Sequence, residues 1–193
     1  HRYPAALQEN LKGSISFIKN NNAENIFVGN GSDEAIDLLI RAFCNPGIDN
    51  ILIFPPTYGM YEVAAEINDV VINKILLTEN FQLDINSIKT GIDKHTKIIF
   101  VCSPNNPTGN LMDTKSIEWL LKNFNGIVVA DEAYIDFADR KSWIKKISEY
   151  SNLVVLQTLS KAWGLAGLRI GFAYASTKII HVLNKLKLPY NIS

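Results

Sequence analysis

Three charged residues stand where apolar runs give way to small and hydroxyl residues, a setting in which a charge can be held for chemistry rather than solubility. Lys161 follows the apolar run Leu153 to Leu156 and the hydroxyl residues Thr158 and Ser160, and it precedes the glycine-bearing run from Ala162 to Arg169. A lone lysine is ordinarily a solvated charge. An apolar neighbourhood would make its amine nucleophilic. A Ser-x-x-Lys hydrolase pattern is weakened, because the first position is Thr158 and no Ser-Asp-Asn follows. Asp131 closes the apolar run Ile127 to Ala130, so its carboxylate belongs at a poorly solvated strand end, where the ionised form needs a cationic partner. The alternative is a helix N-cap. Arg169, eight residues after Lys161 and close to two glycines, suits bidentate phosphate binding, although an arginine at a strand edge can equally face water.

Other segments add weaker signals. Gly29-Asn30-Gly31-Ser32-Asp33-Glu34 could bring backbone amides to a phosphate at a helix N-terminus, or could be a tight turn and a cap. It is neither a dinucleotide fingerprint, because Glu34 holds the third glycine position, nor a P-loop, because no Gly-Lys-Ser/Thr follows. Tyr58 follows two prolines and offers either an aromatic face on a stiff loop or core packing. Asn106-Pro107-Thr108-Gly109 reads by itself as a type I turn.

These residues must be held by regular elements. Short β-branched runs recur at Ile26 to Val28, Ile51 to Phe54, Val70 to Leu76, Lys97 to Cys102, Ile127 to Ala130, Leu153 to Leu156 and Arg169 to Ala173, each apolar on both faces as in a covered parallel sheet. Helical spacing lies between them at Ser32 to Phe43, Gly59 to Ile67, Thr114 to Asn123, Trp143 to Tyr150 and Thr177 to Lys187. Ser32 is the expected N-cap of the first of these. The alternation predicts an α/β domain: a three-layer αβα sandwich around a mainly parallel, seven-stranded sheet. Ligands of such sheets gather at the carboxyl ends of strands, where all the unusual segments fall.

Composition narrows the function classes. Nineteen Lys and Arg balance nineteen Asp and Glu, and no basic run is longer than the pair Lys145-Lys146, so the footprint of a nucleic-acid binder is missing. Cys44 and Cys102 form no metal or redox motif, and His1, His95 and His181 are scattered, so no metal is assigned. No apolar run approaches the roughly 20 residues of a membrane span, and His1-Arg2-Tyr3-Pro4 is no signal peptide; a reduced, cytoplasmic protein is expected. The chain starts without methionine and stops just after a helix-like run, which suggests a piece of a longer protein.

In this order, the segments resemble the fold-type I pyridoxal-phosphate aminotransferases, and within them the histidinol-phosphate aminotransferase family. The resemblance rests on Arg2-Tyr3-Pro4, Gly31-Ser32-Asp33-Glu34, Arg41-Ala42-Phe43-Cys44, Pro55-Pro56-Thr57-Tyr58-Gly59-Met60-Tyr61, Cys102 through Gly109, Asp131-Glu132-Ala133-Tyr134, and Thr158-Leu159-Ser160-Lys161 through Gly167-Leu168-Arg169. It covers the whole chain, residues 1–193, as the cofactor-binding large domain, and leaves out the N-terminal arm and the C-terminal small domain that family members carry. It implies that Lys161 is the Schiff-base lysine and proton shuttle, that Asp131 pairs with the pyridinium, and that Asn106 and Tyr134 bond the ring's phenolic oxygen while Tyr58 stacks on the ring. It implies a phosphate site from the backbone of Ser32 and Asp33, the hydroxyls of Thr158 and Ser160, and Arg169. Tyr3 resembles the tyrosine that reaches this phosphate from the partner subunit, which implies a homodimer with shared active sites. The implied reaction moves an amino group between L-histidinol phosphate and 2-oxoglutarate, giving imidazole-acetol phosphate and L-glutamate, in histidine biosynthesis.

Threonine-phosphate decarboxylase and the aromatic aminotransferases share this fold and are the enzymatic alternatives. A transcription regulator that uses such a domain as a cofactor sensor would need a helix-turn-helix module, and this neutral chain shows none.

Overall fold

The computed structural model describes residues 5–192. The seven expected strands all form: β1 (Ile26–Asn30), β2 (Asn50–Ile53), β3 (Val71–Lys74), β4 (Thr96–Cys102), β5 (Ile127–Asp131), β6 (Leu153–Thr158) and β7 (Ile170–Ala175). They make one sheet in the order β1-β7-β6-β5-β4-β2-β3. The pairs β2–β3, β2–β4, β4–β5 and β5–β6 are parallel, whereas β7 runs antiparallel to both β6 and β1.

Among the described residues six α-helices cover the sheet: α1 (Glu9–Lys19), α2 (Gly31–Phe43), α3 (Met60–Ile67), α4 (Ile85–Gly91), α5 (Thr114–Asn123) and α6 (Thr177–Leu186). Because side chains alternate along a strand, Ile98 and Phe100 face a core shared with Leu39 of α2, Ala65 of α3 and Leu183 of α6. Ile99 and Val101 face the opposite core, with Ile15 of α1, Ile88 of α4 and Leu120 of α5. The central strands are therefore buried on both faces, and the layers are those of an αβα sandwich. Among the described residues no helix is long and apolar enough to cross a membrane.

Four expectations need correction. The run from Val70 to Leu76 forms only a four-residue strand, partly exposed, because β3 lies at the sheet edge and pairs with β2 alone. The segment from Trp143 to Tyr150 does not become an α-helix; Trp143–Lys146 is a 3-10 turn. Ile144 and Ile147, three residues apart, eclipse each other in such a turn, and both are buried. Helices α1 and α4 were not expected. Ser32 is not a cap either, because α2 begins at Gly31, and the Glu34 carboxylate instead reaches back to accept the Asn30 amide at 2.5 Å.

Candidate active site

The carboxyl ends of β1, β4, β5 and β6 and the start of β7 meet at one rim: Asn30 pairs with Ile170, Gly171 with Thr158, and Cys102 with Asp131. A cavity with about 560 Å³ of free space, part of it open to solvent, lies there. Ten of the residues singled out in the sequence line it: Ser32, Asp33, Tyr58, Asn106, Asp131, Tyr134, Thr158, Ser160, Lys161 and Arg169. Tyr3 lies outside the described residues.

Two glycines shape one end. Gly31 has φ +75, and a Cβ on it would lie 2.8 Å from Arg169 Nη2, so its missing side chain lets the guanidinium approach the start of α2. A Cβ on Gly171 would come within 2.2 Å of the Ser32 amide nitrogen, so only glycine lets β7 start against the α2 N-terminus. The Gly31 amide donates to the Arg169 carbonyl at 2.8 Å and ties the two segments together. Arg169 itself takes a left-handed conformation, with φ 51. The first-turn amides of α2 have no acceptor within the helix, and the aligned peptide dipoles favour an anion there. The Asp33 carboxylate stands 4.0 Å from Arg169 Nη2 and accepts the Tyr58 hydroxyl at 3.1 Å. Thr158 Oγ1 accepts the Ser160 amide at 3.1 Å, which turns the end of β6 toward the cavity.

Asp131 occupies the other end. It is 2% exposed. Its Oδ2 accepts the Tyr61 hydroxyl at 2.6 Å and its Oδ1 the Ala133 amide at 3.1 Å. Among the described residues no cationic side chain lies within ion-pair distance of it. Burial pushes this carboxyl up from its usual range, against the opposing pull of the Tyr61 and Ala133 hydrogen bonds. A buried carboxylate that borders a cavity without a counter-ion is a receptor for a cationic group.

Lys161 Nζ lies 5.2 Å from the centre of the Tyr134 ring. Its surroundings are not the apolar ones expected: residues 161–169 are exposed, and Trp163, Leu165 and Leu168 face outward instead of packing around the amine. The asparagine loop is braced by a neighbour of the expected residue. Asn105 donates to the Pro56 carbonyl at 2.9 Å and the Thr108 hydroxyl at 2.7 Å and accepts the Thr57 hydroxyl at 3.0 Å, which locks the Tyr58 loop to the Asn106 loop.

Sequence reasoning assigned no role to Tyr61, Cys102 or Glu132. Cys102 lines the cavity beside Asp131. The Glu132 carboxylate points away from it and accepts from the Trp143 amide at 2.7 Å, from Gln157 at 3.0 Å and from the Ser142 hydroxyl. The signal for Glu132 was its place beside Asp131 at an apolar strand end; nothing in the local sequence pointed Tyr61 toward Asp131.

The arrangement fits pyridoxal phosphate on physical grounds. A carboxylate without a counter-ion stands where a ring nitrogen could carry a proton, a helix N-terminus with a guanidinium suits a phosphate, and a lysine amine borders the same cavity.

A family model described as aminotransferase class I and II matches residues 3–193. A histidinol-phosphate aminotransferase of Cytophaga hutchinsonii is 60% identical over 193 residues, 100% of this chain and 56% of that protein. One from Parabacteroides distasonis is 56% identical over the same 100% of this chain and 56% of its own length. The chain thus spans about half the length of the curated relatives it matches. The crystal structure of the histidinol-phosphate aminotransferase from Clostridium acetobutylicum is similar with a TM-score of 0.89 at 28% identity, covering 99% of this chain and 57% of that one. L-threonine-O-3-phosphate decarboxylase from Porphyromonas gingivalis is similar at TM-score 0.84 and 24% identity, covering 100% and 57%, a likeness of fold alone.

Proposed function

The chain belongs to the aminotransferase class I and II family, and from that premise we propose that residues 1–193 are the cofactor-binding large domain of a pyridoxal-phosphate-dependent histidinol-phosphate aminotransferase. The reaction is reversible transfer of the amino group of L-histidinol phosphate to 2-oxoglutarate, giving imidazole-acetol phosphate and L-glutamate, a step of histidine biosynthesis. The observation that carries this reading is the meeting, in one cavity, of the uncompensated Asp131, the Lys161 amine and the α2 N-terminus with Arg169. The names of relatives at 60% and 56% identity support the substrate.

The cofactor, when bound, supplies an electron sink for the pair released as the substrate Cα–H bond breaks. The chain's own residues do the rest. Lys161 Nζ would be the point of covalent attachment and would shuttle the proton between the substrate carbon and the cofactor carbon. Asp131 supplies the negative charge that keeps a proton on the ring nitrogen. Asn106 and Tyr134 donate to the phenolic oxygen, and Tyr58 covers a face of the ring. The amides of Ser32 and Asp33, the hydroxyls of Thr158 and Ser160, and Arg169 hold the phosphate. By the family resemblance Tyr3 is assigned to the phosphate of the partner subunit's site, and the working form is read as a homodimer, cytoplasmic like other enzymes of amino-acid biosynthesis.

The test is the visible spectrum of the cofactor-loaded, full-length protein. Addition of L-histidinol phosphate should bleach the long-wavelength band, and 2-oxoglutarate should restore it. A band that ignores histidinol phosphate, with carbon dioxide released from threonine phosphate instead, would overturn the assignment of substrate.

A further inference from the structure

A carboxylate stripped of water keeps its charge only where hydrogen bonds replace the lost solvent. Asp131 has two such bonds from described residues. The Ala133 amide comes with the turn of the chain, whereas the Tyr61 hydroxyl is the one side-chain donor among those residues and makes the shorter contact, 2.6 Å against 3.1 Å. Tyr61 is fully buried and held on both sides: its ring stacks on Phe100 at 4.6 Å and 14° and meets Tyr58 edge-on at 5.6 Å and 85°. The ring therefore has little freedom to turn; its hydroxyl meets the Cys102 thiol as well as the Asp131 carboxylate. The bond also crosses layers, from the first turn of α3 to the end of β5, while Tyr61 itself does not line the cavity.

We propose that Tyr61 is the positioning residue for Asp131: its hydroxyl fixes the carboxylate plane and holds the charge available to the cavity. The assignment rests on the reading of Asp131 as the partner of a protonated ring nitrogen. Burial drives the Asp131 carboxyl upward, and the Tyr61 bond is the largest influence opposing it. The other groups that face Asp131 divide in sign: Asp33 from α2 adds to the upward drive, Lys161 from the loop after β6 opposes it, and Cys102 and Tyr58 are neutral neighbours held well above their ordinary ranges, chiefly by burial. An Asp131 that took up a proton would have no charge to offer a cationic ring.

The experiment compares the full-length protein with its Tyr61→Phe variant, free of cofactor, using carboxyl 13C NMR of labelled aspartate with Asp131→Asn to assign the signal. Unfolding curves check that the variant folds. Loss of a hydrogen bond to a charged group should raise the Asp131 midpoint by about one pH unit or more. Affinity for pyridoxal phosphate should fall about tenfold, with no change for the carbon analogue in which CH replaces the ring nitrogen. A folded variant with an unchanged Asp131 midpoint overturns the proposal. Should Tyr61→Phe fail to fold, a fluorotyrosine at position 61, a stronger donor, must lower the midpoint, and an unmoved midpoint there is equally fatal. A parent protein that binds both cofactor forms alike overturns the Asp131 pairing instead, and the cofactor-free titration still decides the role of Tyr61.

Discussion

Glu132→Gln should remove a pH dependence from the stability of this protein. The Glu132 carboxyl is 1% exposed, makes no ion pair among the described residues, and is pushed up to about 7 by burial, from an ordinary 4.5. Between those values the folded protein keeps a proton that the unfolded chain has already lost. Stability therefore falls as pH rises through that window, and the full cost is present above about 7. At about 1.36 kcal/mol per pH unit, the gap between 4.5 and about 7 is worth about 3 kcal/mol. Glutamine stays neutral and escapes this cost. It also loses one acceptor, since Oε2 of Glu132 serves both Ser142 and Gln157, and that penalty of about 1–3 kcal/mol does not vary with pH. The diagnostic is thus the change with pH. Urea unfolding of both proteins from pH 4.5 to pH 8 should show the variant gaining about 3 kcal/mol relative to the parent. A difference that stays constant across that range would refute the reasoning.

Two further perturbations probe the phosphate end. Gly171→Ala places a methyl 2.2 Å from the Ser32 amide nitrogen and 2.3 Å from the Gly31 carbonyl carbon, backbone atoms with no rotamer to yield. It should cost about 1–3 kcal/mol in stability and weaken pyridoxal phosphate binding; a melting temperature and cofactor affinity equal to the parent's would contradict the close packing of β7 on α2. Arg169→Ala should weaken pyridoxal phosphate by about tenfold to a hundredfold and leave pyridoxal, which lacks the phosphate, nearly unaffected. Equal losses for both in a binding titration would remove the arginine from the phosphate site.

The strands were legible because each is a short apolar run bounded by turn residues, and the central ones are buried on both faces. The helices that carry a wide apolar stripe, α2, α3, α5 and α6, were legible for the same reason. Helix α1 was not: it contains Gly13, and of its residues only Lys12 and Ile15 are buried, so its periodicity is thin. Helix α4 spans seven residues, too few to display a period, and its one local signal is the Asp84 cap, which accepts from the Asn86 and Ser87 amides.

For the site, types and order in the chain brought ten residues to one cavity, because strand ends of a parallel sheet converge at a single rim. What stayed hidden was support across elements. Tyr61 meets Asp131 across 70 positions and Gln157 meets Glu132 across 25, and no local pattern encodes such pairs. The apolar setting expected for Lys161 failed because an apolar run in sequence does not say which way its side chains face; Trp163, Leu165 and Leu168 face outward.

The measurement that bears most directly on the central claim is reductive trapping. The full-length protein, loaded with pyridoxal phosphate and treated with borohydride, should carry the pyridoxyl mass on the peptide that contains Lys161, and Lys161→Ala should carry none. A label on another lysine, or an undiminished label in Lys161→Ala, would contradict the assignment of this cavity as the catalytic centre.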